Sequence, residues 1–254
     1  METQTKRLEE KIRVLLERHS MVSRKDLIES LFEWKPNLKV TTIDWLLYKL
    51  RDKGDIVKVG RGKYSLQEVS KFIPNLSSKL KWISSKVKKK YLSNEILLWE
   101  TRWLNEFMTH QPFGSMLIIE VEQELIESVY YYLKETVKNE VYLLSGFVNQ
   151  SASLGGLMDN YILETRDPII VKRYISRSPK QVVEKVTIPA LEKILVDVFA
   201  DPILFTTYHG RELERIFSSA FKRYHLDLKT MKSYSARRNV NRQLAELIQK
   251  VEES

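Results

Sequence analysis

The chain has 254 residues and a mass of 30.0 kDa, with 43% hydrophobic and 30% charged residues and only 8 Gly and 7 Pro, which excludes a disordered or collagen-like polymer. There is no Cys and only four scattered His, so disulfides, iron–sulfur clusters, thiolate zinc sites and a Cys nucleophile are excluded. A formal net charge of +9 and a pI near 9.4 point toward a polyanionic partner.

The opening segment, Met1 to Arg18, is highly charged and has no apolar h-region, so no secretory signal is expected. No apolar run approaches the roughly 18 residues that cross a bilayer. A cytoplasmic protein without a membrane partner is therefore expected. The charge is unevenly distributed. Residues 1–66 carry 15 Lys/Arg against 10 Asp/Glu, residues 67–92 carry 7 against 1, residues 93–200 carry 10 against 15, and residues 201–254 carry 10 against 7. Such asymmetry is expected when one module faces nucleic acid and another does something else.

In chain order, Leu8, Ile12, Leu15 and Leu16 recur at helical spacing and predict a first helix. Ser23 is a good N-cap for a second, with Asp26 three residues on, through Leu27, Ile28 and Leu31. Thr41 or Thr42 is expected to cap a third helix carrying Ile43, Leu46, Leu47 and Leu50 and ending at Gly54. Ile56–Val59 and Lys63–Leu66 flank Gly60-Arg61-Gly62 and read as a hairpin. Three helices followed by a basic-tipped hairpin is the order of a winged helix-turn-helix, expected over residues 1–68. A third helix of this kind enters the major groove while the hairpin tip meets phosphate or the minor groove. The candidate DNA-binding residues are Lys39, Thr41, Thr42, Asp44, Tyr48, Lys49, Arg51, Lys58, Arg61 and Lys63. Asp44 could instead pack or cap locally, and Trp45 is read as core. Wings also serve as protein contacts or as supporting elements, and that alternative stays open.

Residues 69–92 read as a basic amphipathic helix joining two domains, with Leu76, Leu80, Ile83 and Val87 on its apolar side. Its Lys86, Lys88, Lys89 and Lys90, with Arg237 and Arg238 near the end of the chain, form a candidate secondary basic surface; a solvated linker face is the alternative.

Residues 93–254 change rhythm. Strands are predicted at Glu95–Trp99, Ser115–Val121, Val141–Leu144, Tyr161–Leu163 and Pro168–Lys172. Helices are predicted after Thr101 as cap, over Gln123–Thr136, and from Pro189 as first helical residue. Three more follow over 210–224, 227–237 and 239–251. The fold class expected is α+β: a winged helix-turn-helix, then an α/β domain with a mixed sheet, open to reading as a degenerate restriction-nuclease-like scaffold, ending in a helical part.

Catalytic constellations are scarce. Glu120 and Glu122 on one strand supply the acidic half of a metal-dependent nuclease site, but no Lys follows them in Val121-Glu122-Gln123. Glu192 and Lys193 on one helix point about 100° apart and do not converge on one metal. Gly155-Gly156 lacks the rest of a P-loop, and His19, His110, His209 and His225 have no ligand spacing. Tyr130-Tyr131-Tyr132 reads as core plus one exposed ring. No catalytic residue, metal ligand or cofactor is assigned.

Two stretches carry a family resemblance. Gly60-Arg61-Gly62-Lys63-Tyr64 and Ile188-Pro189-Ala190-Leu191-Glu192-Lys193-Ile194-Leu195-Val196-Asp197 resemble the short wing and the later helix of AbiEi-type antitoxins of type IV toxin–antitoxin systems. The element order agrees over most of the chain, whereas residues 122–160 look like an insertion relative to compact members. The resemblance implies a bacterial or archaeal DNA-binding antitoxin and transcriptional autorepressor. Its partners would be double-stranded DNA at inverted repeats of its own promoter and a nucleotidyltransferase-fold toxin encoded beside it. The alternative from the residues alone is a DNA-targeted metal-dependent nuclease.

Overall fold

A computed structural model describes residues 2–18, 21–60, 62–66, 71–91, 96–144, 162 and 165–252. The chain is mixed α+β and divides into two units, residues 1–71 with 220–225 and residues 72–219 with 226–254. No helix among the described residues is long and apolar enough to cross a membrane.

In the first unit, helix α1 (Glu2–Arg18) buries Leu8, Ile12 and Leu16, which its four-residue spacing aligns on one face. Strand β1 (Val22–Ser23) leads directly into α2 (Arg24–Trp34), whose first turn is capped by Ser23 Oγ accepting from Asp26 N at 3.1 Å. Helix α3 (Val40–Asp52) buries Ile43, Leu46, Leu47 and Leu50. It begins two or three residues earlier than expected: Lys39 is its N-cap, without a side-chain bond, and Thr41 and Thr42 lie inside the first turn. Its other end matches the expectation. Gly54 takes φ +76°, Gly54 N donates to Arg51 O, and Asp55 N donates to Leu50 O, a Schellman closure that satisfies the last carbonyls. Strands β2 (Val57–Gly60) and β3 (Lys63–Ser65) form the expected hairpin, and β1 adds to β3, giving an antiparallel sheet of order β1-β3-β2. The three helices share one apolar cluster with Val22 and Ile56. Truncating a fully buried member such as Leu46 to Ala costs about 2–5 kcal/mol.

In the second unit, α4 (Ser78–Lys90) is capped by Ser77 and buries Leu80, Ile83, Ser84 and Val87. Although expected to join two domains, it packs as part of this unit. Ser77 Oγ donates to Glu100 Oε1 at 2.7 Å, Lys79 Nζ to the Asp167 carbonyl at 3.2 Å and Tyr91 Oη to the Ser128 carbonyl at 2.8 Å. The central sheet holds β4 (Leu97–Glu100), β5 (Leu117–Val121), β6 (Val141–Leu144) and β7 (Ile169–Arg173) in the order β4-β5-β7-β6. β4 runs antiparallel to β5, whereas β5–β7 and β6–β7 are parallel, so the sheet is mixed as expected. Largely apolar runs build β4 and β5, in which every residue, Glu100 and Glu120 included, is buried. Thr101 opens a short 3-10 helix (Thr101–Phe107) but does not cap it; its Oγ1 accepts from Met116 N at 2.9 Å instead. Helix α5 (Ile126–Thr136) follows a 3-10 turn, and of its three tyrosines Tyr131 is the exposed one.

A second correction lies before α6 (Leu191–Ala200). Pro189 does not open this helix; it ends strand β9 (Val186–Pro189), which pairs with β8 (Lys180–Val183), and Ala190 is the N-cap. Three helices complete the chain: α7 (Arg211–Arg223), α8 (Leu228–Arg237) and α9 (Asn241–Glu252). The expected strand around Tyr161 and the Gly155-Gly156 pair lie outside the described residues, apart from buried Ile162.

Candidate nucleic-acid interface

The candidate interface is the outward side of α3 together with the β2–β3 hairpin. Arg24, unassigned by the sequence reading, fastens these pieces together. Its guanidinium forks onto Asp44, Nε to Oδ1 at 2.7 Å and Nη2 to Oδ2 at 2.8 Å, linking α2 to α3. Its backbone N donates to the Gly62 carbonyl at 2.6 Å, linking α2 to the hairpin. Gly62 adopts φ +70°, which a side chain would strain, so glycine serves the turn here. The Arg24 hydrogen bond holds the Asp44 carboxyl below its ordinary range, and the same bond raises the Arg24 guanidinium.

Asp44 is therefore committed to an intramolecular fork and is not a free base reader. Lys49 is half-buried: its Nζ donates to Glu9 Oε1 at 2.9 Å and lies 5.2 Å from the centre of the Trp45 ring. Trp45, read as core, is 53% exposed, because the core-facing positions of α3 are Ile43, Leu46, Leu47 and Leu50. Tyr48 is exposed with Arg51 over its ring at 5.3 Å. Lys39, Thr41, Arg51 and Lys58 are exposed, and Thr42 and Lys63 are half-buried. Arg61 lies outside the described residues.

The candidate secondary surface comes apart on inspection. Lys86, Lys89 and Lys90 are exposed, with Lys86 5.6 Å from the Trp82 ring and Lys90 4.0 Å from the Tyr132 ring. Lys88 is half-buried and donates to the Lys185 carbonyl and Thr187 Oγ1, and burial lowers its ammonium pKa. Arg237 Nη1 donates to the carbonyls of Ser176 and Arg177. Arg238 has only 16% of its side chain exposed and is drawn into an internal charge network.

That network is the other concentration of ionisable groups. Glu120 on β5 and Lys172 on β7 are register neighbours and share a face of the sheet. Lys193 and Asp197 lie one turn apart on α6. Lys193 Nζ donates to Glu120 Oε1 at 2.6 Å and to Asp197 Oδ2, and Trp99 Nε1 donates to the same Glu120 oxygen at 3.1 Å. Tyr234 Oη donates to Asp197 Oδ1 at 2.9 Å, and Arg238 pairs with Asp201 Oδ2 at 2.6 Å, as does Lys172 Nζ at 3.1 Å. Three carboxylates meet three cations. Burial alone would raise the Asp197 carboxyl, but Lys193, Lys172 and Arg238 overcome it and hold the group at about 2. Burial likewise opposes the Lys193 ammonium, yet Asp197 and Glu120 hold its pKa above the ordinary lysine value. Tyr234 is pushed far up by burial and by the same two carboxylates.

Glu120, on which a nuclease reading turns, thus does find a lysine, but both are fully buried and already paired. Glu192 points elsewhere, accepting from Asp227 N at 2.9 Å. Among the described residues no group of three or more His, Asp or Glu is arranged to hold a metal. The arrangement is chemically a lock: charges neutralised in place, with no acid or base presented to solvent at Glu120.

Residues 42–254 match a family model described as Family of unknown function (DUF6577). The chain belongs to this family. The DUF6577 match takes in α3 from Thr42, the hairpin and the whole second unit, so Trp45, Tyr48 and Arg51 of the outward face and the buried network fall within it. Comparison with curated proteins gave no match.

Proposed function

We propose that residues 1–68 form a winged helix-turn-helix that binds duplex DNA, and that this DUF6577 protein is a sequence-specific repressor of its own promoter. The observation that carries the reading is the coupling at Arg24. One residue ties α2, α3 and the hairpin into a unit whose outward side carries Lys39, Arg51 and Lys58 beside unpacked rings. A helix offered to the major groove and a hairpin offered to phosphate need such fixed geometry, since phosphate contacts set register and base contacts set sequence. The basic balance of the first 92 residues supports a polyanion as partner. On this reading the second unit serves assembly, and in the antitoxin form of the proposal it contacts a nucleotidyltransferase-fold toxin.

The test is a mobility shift of the purified chain on the DNA upstream of its own gene against random duplex, at about 150 mM salt, where non-specific binding is weak. Preference for the upstream DNA supports autorepression; equal affinity for both overturns it. The antitoxin form is tested separately, by growth on co-expression with the neighbouring gene product: unrelieved toxicity contradicts it.

A further inference from the structure

Two side chains of α3 that could hydrogen-bond a base edge are already occupied. Asp44, which could accept from cytosine, is forked by Arg24, and Lys49, which could donate to guanine, is held by Glu9. Thr41, Trp45 and Tyr48 stand outward at helical spacing, with the two rings 53% and 59% exposed. Cations stand at both ends of this column, Lys39 before the helix and Arg51 in its last turn, where the phosphate walls of a groove would lie. Lys49, pinned by Glu9, lies over the Trp45 ring, and Arg51 lies over that of Tyr48, so each ring has a cation against it.

We propose that α3 reads thymine 5-methyl groups in the major groove, with Trp45 and Tyr48 as the apolar contacts that set sequence preference. Thymine is the base that presents an apolar group in that groove, and apolar side chains recognise it by contact rather than by hydrogen bonding. The cationic ends match the charge of a duplex and fix the helix across it. Lys49 is a positioning residue in this scheme, and Asp44 acts through Arg24. The inference rests on the DNA-binding reading above, and its test separates the two.

The full chain is used to select sites from a randomised duplex pool, and the recovered duplex is resynthesised with deoxyuridine in place of thymidine, which keeps pairing and removes only the methyl. Recovered sites are expected to share thymines, and each contacted methyl removed should weaken binding roughly fourfold, the size of one buried methyl. The double variant Trp45→Ala/Tyr48→Ala should bind the two duplexes alike, while Trp45→Phe, which keeps a ring, should still discriminate. Equal affinity of the wild type for both duplexes, with site preference retained, overturns methyl readout and leaves DNA binding intact. Tighter binding to the single strand than to the duplex also overturns it, in favour of base stacking on the rings. No enrichment from the pool overturns this inference and the DNA-binding reading together. The comparison of wild-type affinities decides the matter even if an alanine variant fails to fold.

Discussion

The two units use the same ionisable side chains to opposite ends. In the first, Arg24 and Asp44 pair with 43% of each side chain exposed, in a contact that water and salt screen. In the second, Lys193, Glu120 and Asp197 pair with at most 1% exposed, where neither charge can be left without its partner. The exposed pair orients a surface and costs little to remove. The buried set holds α6, the central sheet and α8 together through three separate segments of chain. Charge type alone therefore says little about role; the decisive quantity is access to water.

The sharpest way to break this contrast is to remove one charge from the buried set. Lys193→Met strands Glu120 and Asp197 in the core, and loss of one partner of a buried pair costs about 3–5 kcal/mol. Urea unfolding measures it, and a loss below about 1 kcal/mol would mean that solvent reaches the network after all. Acid gives the next largest effect. Asp197 has a folded pKa of about 2, below its ordinary unfolded value, so its contribution is complete above roughly pH 4 and is lost as pH falls toward 2. That loss amounts to about 2 kcal/mol from this group, readable in thermal melts across the same window. A stability flat from pH 5 to 2 would contradict the pairing. The smallest effect belongs to the exposed face: Trp45→Ala should shift unfolding stability by no more than about 0.5 kcal/mol, as for other surface substitutions. A loss of several kcal/mol there would return Trp45 to the core.

Much of the first unit was legible because its signals are local. Ser23, Gly54 and the Gly-flanked hairpin each act within a few residues, and the apolar spacing of Ile43, Leu46, Leu47 and Leu50 defines the buried side of α3. The β8–β9 hairpin is illegible in the sequence for an equally local reason. Its turn places Glu184 and Lys185 at φ +47° and +67°, a conformation normally signalled by Asn or Gly. Pro189 reads as a helix start because the same residue suits the start of a helix and the end of a strand. The site was less legible, since partners meet across long stretches of chain. Asp44 and Arg24 are 20 residues apart, Lys49 and Glu9 are 40 apart, and Lys193 and Glu120 are 73 apart. Arg238 reads as one more surface cation until Asp197 and Asp201 are seen to surround it.

On the proposed reading, the outward face of α3 binds duplex DNA while the buried network only stabilises. Affinity for one duplex and unfolding midpoint, measured side by side for Arg51→Ala and Glu120→Gln, test it directly. Arg51→Ala should weaken binding and flatten its log–log salt dependence by about 0.9 at an unchanged midpoint. Glu120→Gln should lower the midpoint and leave affinity, measured well below it, at the wild-type value. Unchanged affinity in Arg51→Ala, or lost affinity in folded Glu120→Gln, would contradict it.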